Sequence, residues 1–325
     1  MQSGEKKRVV VVGGGNGSAC SLNALKQYRN IYDISAVVSV SDSGGSSGRL
    51  RKEFGTLPMG DILRAVLAMS PYPYKMLKHV FNQNRFEETG KLDGHNLGNM
   101  FLVLAEQYDG DFEHALRALH QAVEAVGTVH PVTREISDLC VELSNGDIII
   151  GEHEIDRPLY DRSLRIKRAW LQPTPALDEG AKQAIEHADA IVFGPGSLYC
   201  SIIATLAVEG MQKEVVRSSR AQLIYVIGNS FETHGETGPT SVSDAIHELE
   251  AFLPRPLDAI IYNNHRLTKK EEEHYKERGW SPLEFDFHAQ HEPRLITADY
   301  EKDPKDGAGL SPQKLGRVLH DVIAE

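Results

Sequence analysis

Short apolar runs ending in glycine turns alternate along the chain with amphipathic stretches. Four consecutive valines, Val9 to Val12, read as a strand buried on both faces. The run ends in Gly13-Gly14-Gly15-Asn16-Gly17-Ser18, and a helical pattern over 19–28 leads to a second apolar run at 34–40. Strand, glycine turn, helix and strand open a doubly wound sheet. The same pattern returns with apolar runs at 189–193, 223–227 and 258–262, the first followed by an apolar helix over 198–208. Ile62, Leu63, Val66 and Leu67 share one face of a helix beginning at Gly60-Asp61. Leu97, Phe101 and Leu104 mark another helix, and Phe112, Leu116, Leu119, Val123 and Val126 a third. Over 138–155 the period changes: apolar runs at 139–143 and 148–150 flank Asn145-Gly146, a hairpin signal, and 164–170 adds a strand. The expected fold class is α/β, a Rossmann-like doubly wound, mostly parallel sheet with an antiparallel hairpin elaboration.

Residues 1–325 are expected to form a single Rossmann-like domain, with an excursion at 71–94, the hairpin elaboration at 136–170 and a C-terminal extension at 265–325. Within that extension, 269–278 reads as a solvated helix and 303–312 as a loop before an amphipathic helix. With 41% hydrophobic and 25% charged residues, 325 residues suffice for a sizeable globular core. A net charge of -11 argues against a broad nucleic-acid-binding face. Cys20, Cys140 and Cys200 are scattered without a CxxC, which indicates neither a disulfide framework nor a zinc site and suits a reducing cytoplasm. No apolar run approaches the ~18 residues of a membrane helix, and the first apolar run ends at once in glycines, unlike a signal peptide. A cytoplasmic location and no membrane partner are expected.

Candidate chemistry centres on 36–51, AVVSVSDSGGSSGRLR. The strand ends at Ser41-Asp42-Ser43, and Gly44, Gly45, Ser46, Ser47 and Gly48 form a loop closed by Arg49 and Arg51. Glycines let backbone N–H groups converge into a concave nest, serines add donors, and arginines add charge suited to phosphate oxygens. This reads as an anion site for nucleotide phosphates, against the alternative of a flexible serine-glycine loop. Four strand ends, at 13–18, 42–48, 194–197 and 228–230, carry glycine or amide residues on the sheet edge where such folds hold ligands. Helix N-termini after the first and third of these turns would aim partial positive charge at a phosphate. The ligand-binding candidates are therefore Gly13, Gly15, Asn16, Gly17, Asp42, Gly44, Gly45, Ser46, Ser47, Arg49, Asn96, Asn99, Gly194, Gly196, Ser197 and Asn229.

Asp42 could hold a ribose or a Mg²⁺, deprotonate a hydroxyl, or only shape its turn. Asp61 reads as a second carboxylate or a helix N-cap. His95, Asn96 and Asn99 mark a helix start where amides could read a ligand or act as caps. His288-x-x-His291 has no third metal ligand nearby in sequence and reads as surface. Gly13-x-Gly15-x-x-Ser18, with Asp42 ending the second strand, approximates a dinucleotide fingerprint and keeps a nicotinamide dehydrogenase open. The absence of GxxxxGK[ST] argues against a P-loop NTPase.

The segments VVVVGGGNGS (9–18), SVSDSGGSSGRLR (39–51), PMGDIL (58–63), GHNLGNMFL (94–102), HPVT (130–133), the Gly-Glu of GEHEID (151–156), ADAIVFGPGSLYCSI (188–202) and HGETG (234–238) carry a further signal. In these the chain resembles the 2-phospho-L-lactate transferase/gluconeogenesis-factor family, and most of all the bacterial gluconeogenesis factors, which are UDP-sugar-binding proteins. The resemblance implies a Rossmann-like fold whose glycine loops hold a nucleotide. It further implies one of two activities. Transferase members pass a phospholactate-type group from a guanosine-nucleotide-activated donor to a deazaflavin hydroxyl with Mg²⁺, which would make Asp42 a catalytic residue and metal ligand. Gluconeogenesis factors bind UDP-N-acetylglucosamine-type ligands and regulate carbon flux, cell-wall precursor supply and cell shape, which implies a protein partner in precursor synthesis. A homo-oligomer is expected. The family usually shows paired aspartates where this chain has Asp42-Ser43, and Ile-Arg-Asn where it has Ile62-Leu63-Arg64. Weaker carboxylates hurt a metal-assisted transfer more than binding, because the transfer needs charge neutralised in its transition state. The expectation is therefore a nucleotide-sugar-binding regulator, with the transferase as the alternative.

Overall fold

The computed structural model describes residues 5–218, 220–287 and 294–324; His288 and His291 lie outside them. Its strands in chain order are β1 Lys7–Gly13, β2 Tyr32–Val38, β3 Thr128–Pro131, β4 Asp138–Leu143, β5 Ile148–Ile150, β6 Ile166–Gln172, β7 Ala190–Phe193, β8 Gln222–Ile227, β9 Ser230–Glu232, β10 Ala259–Asn263, β11 Trp280–Pro282 and β12 Leu295–Ala298. Seven of them form one sheet in the order β12-β10-β8-β7-β1-β2-β3. Every pairing in it is parallel, with Val9 opposite both Ile34 and Ala190. Val9 to Val12, Ile191 to Phe193 and Leu223 to Ile227 are buried, as strands covered by helices on both faces must be. From β1 the chain winds outward through β2 and β3, then returns to β7 and winds the other way. The topological switch therefore lies between β1 and β7, and ligands in such sheets sit beyond the carboxyl ends of the strands there.

The Asn-Gly hairpin is β4–β5, and β6 completes a three-stranded antiparallel sheet. Two short parallel strands carry no clear apolar period: β3 (TVHP) and β12 (LITA), the second of which closes the sheet edge beside β10. Residues 44–48 are not a loop. Gly44 is the extended N-cap of helix Gly45–Phe54, so Ser46, Ser47 and Gly48 occupy its first turn. The apolar helix expected over 198–208 begins as a π-helical turn, Leu198–Ile203, before the short helix Ala204–Leu206. Helix Lys269–Glu277 is closed by a Thr268/Glu271 capping box and buries Tyr275 within the fold. The last helix, Pro312–Ala324, packs against the first, Gly15–Leu25. A Cβ on Gly316 would lie 2.8 Å from the Ala24 carbonyl, and His320 stacks on Tyr28 at 4.5 Å. Among the described residues no helix is long and apolar enough to cross a membrane.

Candidate functional site

A cleft of about 1600 Å³ opens at the carboxyl edge of the sheet. A smaller hollow of about 200 Å³ shares Asp42, Gly44 and Arg64 with it. Gly15, Asn16, Gly17, Gly196, Ser197 and Asn229 line the cleft. Gly45, Ser46, Ser47, Asn96 and Asn99 line the hollow. Gly13, Gly194 and Arg49 line neither. Gly13 ends β1, the Gly194 carbonyl accepts the Ser21 hydroxyl at 2.7 Å, and the Arg49 guanidinium donates to the Asp93 carbonyl at 2.8 Å. The Asn229 side chain is already satisfied: it accepts from Tyr275 and donates to the buried Glu301.

Close approach explains the glycines of the first turn. A Cβ on Gly17 would sit 1.8 Å from the Pro195 carbonyl oxygen, and one on Gly14 would sit 2.2 Å from Asp61 Oδ2. The turns after β1 and β7 therefore touch through bare backbone.

A carboxylate already sits at each of the helix N-termini that close these two turns. The Asp61 carboxylate lies against the Gly14-Gly15 turn, close enough that Gly15 pulls its pKa down against the effect of burial. At the turn after β7, the N–H groups of Leu198, Tyr199 and Cys200 donate to the Glu236 carboxylate, at 2.6 Å for Leu198 and 2.8 Å for Cys200. Aspartate and glutamate at these positions serve the same partial charges that would have served a ligand. Asp61 does not cap its own helix, Gly60–Met69, whose N-cap is Met59 without a side-chain bond.

Helix Gly45–Phe54 is different. Its N-cap Gly44 donates to Asp42 Oδ1 at 2.8 Å, and no side chain caps its first turn, which faces the hollow. Asn99 donates to Ser46 Oγ at 3.1 Å, while its own buried Oδ1 has no partner. His95 meets Ser46 Oγ at 2.9 Å, and burial followed by the Arg49 charge lowers its pKa. Asn96 acts as an N-cap, accepting from the Asn99 N–H at 2.8 Å.

Acidic groups gather on the cleft floor: Asp42, Asp61, Glu152 and Asp156. Arg64 ion-pairs with Asp61, with only 25% and 14% of the two side chains exposed. Burial raises the Asp61 pKa against the pull of Arg64. Glu152 is pushed up to about 9, first by burial and then by Asp42, Asp156 and Asp61.

Comparison with known proteins fixes the family. The family described as 2-phospho-L-lactate transferase CofD matches residues 9–300. The chain belongs to that family. A relative from Thermotoga maritima is 36% identical over 321 residues, 97% of this chain and 96% of that protein. Proteins named gluconeogenesis factor are 35% identical in Halalkalibacterium halodurans, over 87% of this chain and 86% of theirs, and 34% identical in Bacillus subtilis, over 87% of each. A crystal structure of a UPF0052-family protein from Bacillus halodurans superposes with a TM-score of 0.86 at 30% identity, covering 99% of this chain and all of that one.

In this CofD-family chain, Arg64, Glu152, Asp156, Cys200 and Glu236 were not marked as site residues by strand-end reasoning. Glu152 and Glu236 do lie in two of the segments that carry the resemblance, GEHEID and HGETG. The Mg²⁺ implied for transferase members can be tested against the donors present. Glu152, Asp156 and Cys200 offer ligand atoms within 4.8 Å of one another. Mg²⁺ prefers six oxygens, and burial holds the Cys200 thiol protonated by raising its pKa well above the ordinary value. Arg64 already supplies positive charge beside Asp61. Of that trio, only the Glu152 and Asp156 carboxylates suit Mg²⁺.

Proposed function

We propose that the cleft binds a nucleotide sugar of the UDP-N-acetylglucosamine type, and that the protein acts as a regulator of carbon metabolism, cell-wall precursor supply and cell shape. The observation that carries this reading is Arg64 ion-paired with Asp61 on a floor that also holds Asp42, Glu152 and Asp156. Metal-assisted transfer needs free carboxylates to hold a cation that offsets developing charge; here a guanidinium takes up part of that role. The cleft, at about 1600 Å³, has room for a nucleotide and its sugar. The relatives named gluconeogenesis factor support a role in carbon metabolism.

Calorimetric titration with UDP-N-acetylglucosamine, GDP and NAD, each with and without Mg²⁺, tests the proposal. Selective binding of the UDP sugar without Mg²⁺ is expected. Mg²⁺-dependent binding of GDP, with release of a nucleotide product on turnover, would move the assignment to the transferase. That second reading draws on Asp42 Oδ2, which has no hydrogen-bond partner among the described residues and faces the same floor as Glu152.

A further inference from the structure

We propose that Lys78, Arg278 and Lys302 form a polyanion subsite in the cleft that takes the diphosphate of the bound nucleotide. The inference rests on the nucleotide reading of the cleft and changes where the phosphates go. Of the three glycine-turn helix N-termini, the one after β7 is capped by Glu236 and the one after β1 has the Asp61 carboxylate against it, and both carboxylates oppose a phosphate there. The third, at Gly45, faces the smaller hollow. A diphosphate in the main cleft must find its positive charge elsewhere.

Three cations on separate elements supply it. Lys78 ends the short helix Tyr74–Lys78, Arg278 follows helix Lys269–Glu277, and Lys302 follows β12. All three line the cleft. Lys78 Nζ donates to Asn16 Oδ1 at 2.7 Å, which places it against the first glycine turn. The Arg278 guanidinium, also at the cleft, lies 5.2 Å from the centre of the Trp280 ring. A Cβ on Gly309 would stand 3.7 Å from that ring and 3.9 Å from Lys302 Nζ, so Trp280 and Lys302 pack against the same backbone.

None of the three makes an ion pair with a carboxylate among the described residues, although the chain has 46 acidic residues against 35 basic ones. The other arginines that line the cleft are paired, Arg64 with Asp61 and Arg157 with Asp156. Like charges left together in an acidic protein repel one another, and an anion with several oxygens relieves that repulsion. Burial first, and then the charges of Arg64, Lys302 and Arg278, lower the pKa of Lys78.

The test is calorimetric titration of the whole protein, and of Arg278→Ala and Lys302→Ala, with UDP-N-acetylglucosamine, uridine and inorganic pyrophosphate. Each variant is expected to bind the UDP sugar and pyrophosphate about tenfold more weakly, as loss of a charge-assisted bond implies, and uridine with unchanged affinity. Unchanged affinity for the UDP sugar in both variants would overturn the subsite while leaving nucleotide binding intact. So would loss of affinity in Ser46→Ala or Ser47→Ala alone, which would place the phosphates at the second turn. If wild-type protein binds no nucleotide, pyrophosphate decides separately: binding weakened in both variants supports the subsite, and no binding rejects it.

Discussion

Replacing Glu236 with alanine isolates the contact that ties two walls of the cleft together. In the native protein its two oxygens accept from Leu198 and Tyr199, and from Tyr199 and Cys200. Removing them leaves three N–H groups at a helix start without an acceptor. Loss of a cap alone costs ~1 kcal/mol, and a hydrogen bond to a charged group contributes ~1.5–3 kcal/mol. Two effects reduce the total. Burial raises the Glu236 pKa, so the carboxylate is held at some cost, and water from the cleft can reach the freed amides. A net loss of ~2–3 kcal/mol is expected, or about 3–4 °C in melting temperature for a chain of this size. Differential scanning fluorimetry in a phosphate-free buffer, followed by titration with inorganic phosphate, checks both halves of the reasoning. The variant should gain more stability from phosphate than wild type does, as phosphate occupies the vacated helix N-terminus. A variant that melts with wild type, or ignores phosphate, would show that Glu236 is not what satisfies this turn.

Glu152 gives a pH prediction. Its folded pKa of about 9 lies above its ordinary 4.5, so its contribution to stability is complete below about 4.5, falls as pH rises, and is gone above about 9. Glu152→Gln should therefore gain on wild type in melting temperature as pH rises through that window, and a pH-independent difference would refute the burial assignment. Gly17→Ala forces a methyl onto the Pro195 carbonyl and should cost about 3 kcal/mol or more in chemical denaturation, together with ligand binding; a variant of native stability would deny the close approach. Asp42→Asn keeps the oxygen that accepts from Gly44 and should leave the dissociation constant of the UDP sugar within about threefold, or ~0.7 kcal/mol. If it instead abolishes a measurable transfer reaction, Asp42 is a catalytic group. Arg49→Ala should leave nucleotide affinity unchanged, because that guanidinium is spent on the Asp93 carbonyl; a tenfold loss would return Arg49 to the site.

The fold was legible because its signals are local. Val9 to Val12 and the runs that form β7, β8 and β10 are continuous apolar segments ending in glycine or amide, and Asn145-Gly146 has few other readings than a hairpin turn. The strands missed, β3, β9, β11 and β12, are three or four residues long and receive their partners only from the assembled fold. The Gly-Ser run at 44–48 reads as a loop because glycine and serine have low helix propensity, yet the first turn of a helix is where serine is tolerated and its amides are free. In the site, proximity is what sequence could not supply. Asn229 sits at a predicted ligand edge but is consumed by Tyr275 and Glu301. Arg64 lies one helical turn beyond Asp61, a spacing that says they can meet but not that they meet on the cleft floor. Glu236 reaches the 198–200 amides across thirty-odd residues, and only the HGETG resemblance pointed to it.

The seating of helix Pro312–Ala324 on helix Gly15–Leu25 bears on how the protein is made. The helix that follows the first glycine turn is made about three hundred residues before the element that covers it, which comes after all the others described. Lys302 and Gly309, on one wall of the cleft, arrive in the same late segment, just after β12 closes the sheet edge. During synthesis the valine strand and its helix must therefore wait, partly uncovered, for about three hundred residues. Ligand cannot assist folding over that interval, because the site that would hold it lacks a wall until Lys302 and Gly309 have been made.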